Sequence, residues 1–174
     1  RNFRRSESGH MRILVAGVGN VLKGDDGFGV RAVELLKSRA GLPTGVAIIE
    51  TGIGGIHLVQ ELGQGYDALI LLDAMDRGGT PGELYLVEPI LPDIAGMTDR
   101  ERRDFFADVH YATPVRATSL AREIGVLPGI VRIIGCQPLD ADTFGQGLSR
   151  PVQVALSTSL EMVRTLLDQL QASP

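Results

Sequence analysis

The chain has no Trp and a single Cys, Cys136, among 174 residues, and only 5% of it is aromatic. One Cys excludes an internal disulfide framework and fits a reducing cytoplasm. Scarce aromatics leave nothing for the base-stacking platform that single-stranded nucleic acid requires. A basic excess is missing as well: 17 Lys and Arg stand against 21 Asp and Glu, a formal net charge of -4. That balance argues against nucleic acid and anionic membrane as partners. No apolar run reaches the roughly 18 to 20 residues that span a bilayer. No charged-then-apolar leader with a small-residue cleavage site follows Met11.

The segment Arg1 to His10 is polar and basic, and His10-Met11 reads as a junction ahead of a natural start. Residues 1–10 are therefore expected to be a tag remnant. Without their three Arg and one Glu, 14 Lys and Arg face 20 Asp and Glu, a net charge of -6. Residues 11–174 are enough for one domain with a real core and hardly enough for two.

What is present is concentrated in Arg12 to Val30, where an apolar run leads into Gly17-Val-Gly19-Asn20 and then Asp25-Asp26-Gly-Phe-Gly29. The layout is strand, glycine turn, helix, which suggests a dinucleotide site. That fingerprint needs a third Gly three positions after the second, for close helix–strand packing, and Leu22 stands there. Asp25 and Asp26 also occupy the expected helix entrance. Carboxylates there repel a pyrophosphate and invite a cation.

The rest of the chain alternates strand and helix patterns. Helices are expected over 26–39, 56–62, 114–124 (with Thr113 as N-cap and Pro114 first) and 151–170. Strands are expected over 12–17, 46–50, 67–73, 83–88 and 130–136, with one short helix in the polar stretch 89–108. The 74–82 connection is too short for a helical crossover, so the fourth strand is expected at an edge, antiparallel to the third as its hairpin partner. The sum is an α/β fold: a three-layer α/β/α sandwich on a mostly parallel five-stranded sheet with one antiparallel edge strand.

Ligands gather beyond the carboxyl ends of such strands. The polar residues expected there are Asn20, Asp25, Asp26, Glu50, Thr51, Asp73, Asp76, Cys136 and Gln137. Carboxylates crowded into one crevice repel each other unless a cation sits between them, and a divalent metal answers that. Imidazole would come from His57, at the start of the second helix, or from His110, in the loop before Thr113-Pro114. Two carboxylates, one imidazole and an open position suit zinc or nickel. Each residue also has a plainer reading. Asp25 or Asp26 serves as a helix N-cap, Asp73 as a turn residue, His110 as a surface side chain and Cys136 as a buried apolar residue. A cysteine hydrolase using Cys136 with His110 as base is a further alternative.

The motif Gly17-Val-Gly-Asn20-Val-Leu-x-x-Asp25-Asp26-Gly-x-Gly29 closely resembles the opening of the nickel-iron hydrogenase maturation endopeptidases. The likeness continues through Glu50-x-Gly52-x-x-Gly55, Leu-Leu-Asp73-Ala74, the Pro81-Gly82 turn, His110 and Ile-Ile-Gly-x-Gln-Pro138. It departs at Ile53, where the family often has Thr, and at Tyr111-Ala-Thr-Pro114, which follows the His. The resemblance implies an α/β/α peptidase domain over 11–174, working in the cytoplasm. Its partner would be the hydrogenase large-subunit precursor, from which it cuts a C-terminal extension once nickel has been inserted. Asp26, Asp73 and His110 would be the catalytic and metal-ligating residues. The nickel would arrive with the precursor, zinc or another divalent ion being able to substitute. Asn20, Gly52, Gly54 and Gly55 would line the substrate. A non-catalytic nickel-sensing chaperone and a nucleotide-binding protein are the alternatives to that function.

Overall fold

The structure is a computed structural model of the chain, and it describes residues 10–39, 41–52, 55–94, 96–107, 114–145 and 147–172. Most of the expected tag remnant, 1–9, lies outside them.

Strand β1 (Ile13–Val18) leads through a 3-10 turn (Gly24–Gly27) into helix α1 (Phe28–Ser38). There follow β2 (Val46–Gly52), α2 (Gly55–Leu62), β3 (Ala68–Ala74), β4 (Leu84–Val87), α3 (Asp99–Ala107), α4 (Pro114–Glu123), β5 (Ile130–Cys136) and α5 (Arg150–Ala172). The sheet order is β2-β1-β3-β5-β4. All neighbours are parallel except β4 and β5. The three-layer, mostly parallel α/β fold with an antiparallel edge strand is therefore as expected.

Alternation along the strands builds two cores, because successive side chains point to opposite faces. Ile13, Val15, Ile70, Leu72 and Ile134 face α1 and α5, joining Val33, Leu36, Leu160, Val163 and Leu167. Leu14, Ala16, Leu69, Leu71 and Ile133 face the other way, toward Leu58, Val59 and Leu62 of α2 and Ala117 and Ala121 of α4.

One expectation fails. β4 is antiparallel and at the edge, but it pairs with β5 and not with β3; β5 lies between them. β5 carries a run buried on both faces, Ile133 to Cys136, and belongs inside the sheet. The four-residue β4 is only half-buried and suits the rim. The connection from β3 crosses the carboxyl end of β5, where Met75 N–H donates to Cys136 O at 2.8 Å. Gly82 N–H reaches Gln137 O at 2.9 Å.

The short helix expected in 89–108 is α3. It starts with a capping box in which Glu101 accepts from the Thr98 amide and hydroxyl at 2.8 and 2.7 Å. Thr113, the expected cap of α4, lies outside the described residues, and Pro114 is the first residue of that helix.

Candidate functional site

Strand order reverses between β1 and β3: the chain leaves β1 toward β2 on one side and β3 toward β5 on the other. Crevices at such points, beyond the carboxyl ends of the strands, are where open α/β sheets bind ligands. Three glycines bring the chain after β1 down onto that point. A Cβ at Gly17 would lie 2.2 Å from the Gly29 carbonyl oxygen, and one at Gly29 would lie 2.0 Å from that of Leu72. Gly19, with φ +128°, could not carry a Cβ without meeting the Asp26 carbonyl oxygen at 1.8 Å. The close helix–strand packing that a dinucleotide site obtains from its third glycine is thus supplied here by Gly29, seven residues beyond Leu22.

Asp25 and Asp26 sit in the 3-10 turn and neither caps a helix: no side-chain cap bond forms at the turn or at α1. Asp25 is 1% exposed and its carboxylate is fully engaged. It accepts from the amides of Leu139 (2.7 Å), Asp140 (3.1 Å) and Ser149 (2.6 Å) and from the Ser149 hydroxyl (2.8 Å). It ties the turn to the β5–α5 loop and has no capacity left for a ligand. Asp26 is freer. One of its oxygens accepts from the Asn20 amide at 2.9 Å. Desolvation raises the pKa of Asp26 from its ordinary value; the Asn20 bond and the Lys23 charge oppose the shift, and Asp142 adds to it.

Asp73, the penultimate residue of β3, is close enough to feel the charge of Asp26. Its pKa is held well above the ordinary value, first by burial and then by the charge of Asp26, against one bond from the Ala74 amide. The fold therefore places two desolvated carboxylates within electrostatic reach of one another. A cation between them would relieve both burial and repulsion. His110, the third expected ligand, lies outside the described residues. Among the described residues no group of three His, Cys, Asp or Glu side chains is arranged to hold a metal. His57 is exposed at the start of α2.

The other expected site residues divide. The Asn20 side-chain oxygen accepts from the Leu22 amide at 3.0 Å, an Asx turn that shapes the loop. Gly52 has φ +52° with open space beside it, and its carbonyl accepts from Gly19 N–H at 3.2 Å. Gly55 opens α2, and Gly54 lies outside the described residues. Glu50 points away, paired with Lys37 at 2.8 Å on the surface. Thr51 is buried with its hydroxyl donating to Gly17 O at 3.2 Å.

Gln137 has a larger part than its sequence position suggested. Its Oε1 accepts from the Arg77 and Gly79 amides at 2.8 and 3.1 Å, and its Nε2 donates to Asp76 at 2.8 Å. It holds the loop that follows Asp73, and its bond draws the Asp76 pKa down. A polar residue ending an otherwise apolar strand was the available signal.

Two alternatives lose their footing. Cys136 is fully buried, and burial followed by the charge of Asp25 pushes its thiol up to about 12. A nucleophilic Cys needs the opposite surroundings. For a nucleotide, the amides at the helix entrance are already taken: Asp25 N–H by Asp140 O at 2.7 Å and Asp26 N–H by Lys23 O at 2.9 Å. Neither of these amides is open to a phosphate.

A family model for hydrogenase maturation proteases matches residues 30–166. The chain is 36% identical over 156 residues to the hydrogenase expression/formation protein HupD of Bradyrhizobium diazoefficiens, covering 90% of this chain and 78% of that one. It is 38% identical over 157 residues to HoxM of Azotobacter vinelandii, covering 89% and 72%. Its fold is similar to that of the hydrogenase maturating endopeptidase HybD from Escherichia coli, with a TM-score of 0.70 at 28% identity over 91% of this chain and 93% of that one. A switch-point crevice with paired acids, on a chain with these relatives, makes the protein a member of the hydrogenase maturation protease family.

Proposed function

We propose that this hydrolase is the endopeptidase that trims the C-terminal extension from a nickel-iron hydrogenase large-subunit precursor after nickel has been inserted. The observation that carries the reading is the division of labour in the Asp25-Asp26 pair. One acid is consumed by the scaffold; the other keeps a single hydrogen bond, from the Asn20 amide, and lies within reach of Asp73.

In this reading Asp26 and Asp73 meet the nickel that the precursor already holds, with His110 as third ligand, so the metal belongs to the substrate. Two hard oxygen donors and one imidazole suit nickel, and zinc or another divalent ion in its place. A divalent ion so held supplies Lewis-acid polarisation of the scissile carbonyl. The chain's own residues do the rest. Half-buried Asp26 and Asp73 would exchange their raised proton affinity for the metal. Gly52 at the end of β2 and Gly55 at the start of α2 let an extended tail approach the backbone closely. In this reading the reaction belongs to a reducing cytoplasm, which a single buried thiol suits.

The test is the intact mass of the large-subunit precursor after incubation with this protein, with and without nickel. Loss of a C-terminal peptide from the nickel-loaded form alone is the expected result. Unchanged mass in both forms, with a verified cognate precursor, would replace the protease by a binding or sensing role. His110→Ala is expected to abolish cleavage and leave the melting temperature within about 2 °C. A large fall in melting temperature would make His110 structural.

A further inference from the structure

Three of the five most exposed large apolar side chains among the described residues flank the 3-10 turn: Leu22 at 63%, Leu139 at 62% and Phe144 at 68%. They stand on two loops that are stitched together. Lys23 and Phe144 form an antiparallel bridge, and Gly145 N–H donates to Leu22 O at 3.0 Å. The Lys23 ammonium lies 5.2 Å from the centre of the Phe144 ring. Behind them Asp25 holds the Leu139 amide at 2.7 Å. These side chains are therefore presented on backbone that is already ordered, which lowers the cost of binding through them.

The turn and the loop that carry this patch also reach Asp26, at the candidate crevice. Asn20, two residues before Leu22, donates its amide to Asp26. Asp142, two residues before Phe144, is near enough for its charge to act on Asp26. A peptide whose scissile carbonyl rests against Asp26 passes over the turn that holds that carboxylate and over the loop bonded to it.

We propose that Leu22, Leu139 and Phe144 are the docking surface for an extended apolar stretch of the precursor flanking the bond that is cut. The proposal rests on the function proposed above. It commits to the precursor because the turn and the loop that carry the patch reach Asp26. Buried apolar anchors beside a polar centre are the usual makeup of such contacts. Asp140 and Asp142, on the same loop, favour neutral or basic residues over acidic ones in that stretch.

The experiment compares the wild type with the variant carrying Leu22→Ser, Leu139→Ser and Phe144→Ser. Each is measured for equilibrium binding to the nickel-loaded precursor and for cleavage. Exposed positions are chosen so that the fold survives, which circular dichroism and the melting temperature check. Ile124→Ser, 58% exposed after α4, is the control for lost surface apolarity. The expected result is binding weakened by about tenfold or more, with the loss of cleavage falling mainly on KM, and a control that binds like the wild type. Equal affinity of triple variant and wild type, or no binding by the wild type, overturns the docking surface. If the wild type cleaves and the triple variant matches it, only the docking surface fails. If the wild type binds through this patch but never cleaves, the protease reading fails and the surface stands.

Discussion

Asp25 and Asp26 are adjacent, have the same side chain, and do unlike things. In the sequence they form a pair, of which one was expected to cap a helix and the other to stay free. In the fold neither caps; Asp25 is bound by residues 114 to 124 positions away. No local pattern reveals partners at that distance. Asp25→Ala would strand the Leu139, Asp140 and Ser149 donors, at a cost of about 3 kcal/mol, to be read by urea denaturation. Asp73 leads to the opposite expectation. Its folded pKa is raised, so between the ordinary carboxylate value of 3.8 and the raised value the folded state holds a proton that the unfolded state has released. Over that window stability falls as pH rises, and above it the penalty is constant. Asp73→Asn removes the charge and is expected to raise the melting temperature at neutral pH, flatten its pH dependence through that window, and lower cleavage by about a thousandfold. A melting temperature that drops at neutral pH would count against a desolvation penalty at Asp73.

At the scale of elements, the glycine spacing was legible and its meaning was not. Gly19 was identifiable as a turn residue, and Leu22 as a break in the dinucleotide pattern; Gly17 lies within β1. That Gly29 performs the packing depended on how far the 3-10 turn displaces α1 along β3. Gly29→Ala would press a methyl group against the Leu72 and Val18 carbonyls, which stand 2.0 and 2.4 Å from the Cβ position. Neither neighbour is a flexible side chain, so the substitution is expected to cost about 3 kcal/mol and to move the turn bearing Asp26. Loss of activity alongside stability, in denaturation and cleavage assays, would confirm the coupling. The strand order shows the same limit. The shortness of 74–82 correctly gave β4 its direction and edge position. Its partner was decided by β5, which needs burial on both faces and takes the place beside β3.

Across the whole molecule, two apolar layers share one sheet, so each strand contributes to both. Leu58 under α2 and Leu167 under α5 are each about fully buried, at 1% exposure, on opposite faces. Replacing either by Ala is expected to cost about 3 kcal/mol and to shift one common unfolding transition. The check is coincident far-ultraviolet and near-ultraviolet melting curves in both variants; a split transition would mean that the layers unfold separately. Among the described residues no helix is long and apolar enough to cross a membrane.

The sequence by itself determined the α/β/α class, the positions of strands and helices, and the short list of acids at strand ends. These follow from period, turn chemistry and composition, which are local properties of the chain. Only the tertiary structure decided which acids remain available. That choice turns on burial and on hydrogen bonds closing over a hundred residues, through which Asp25 is satisfied by the β5–α5 loop while Asp26, bonded by the Asn20 amide, and Asp73, bonded by the Ala74 amide, lie within reach of one another's charge.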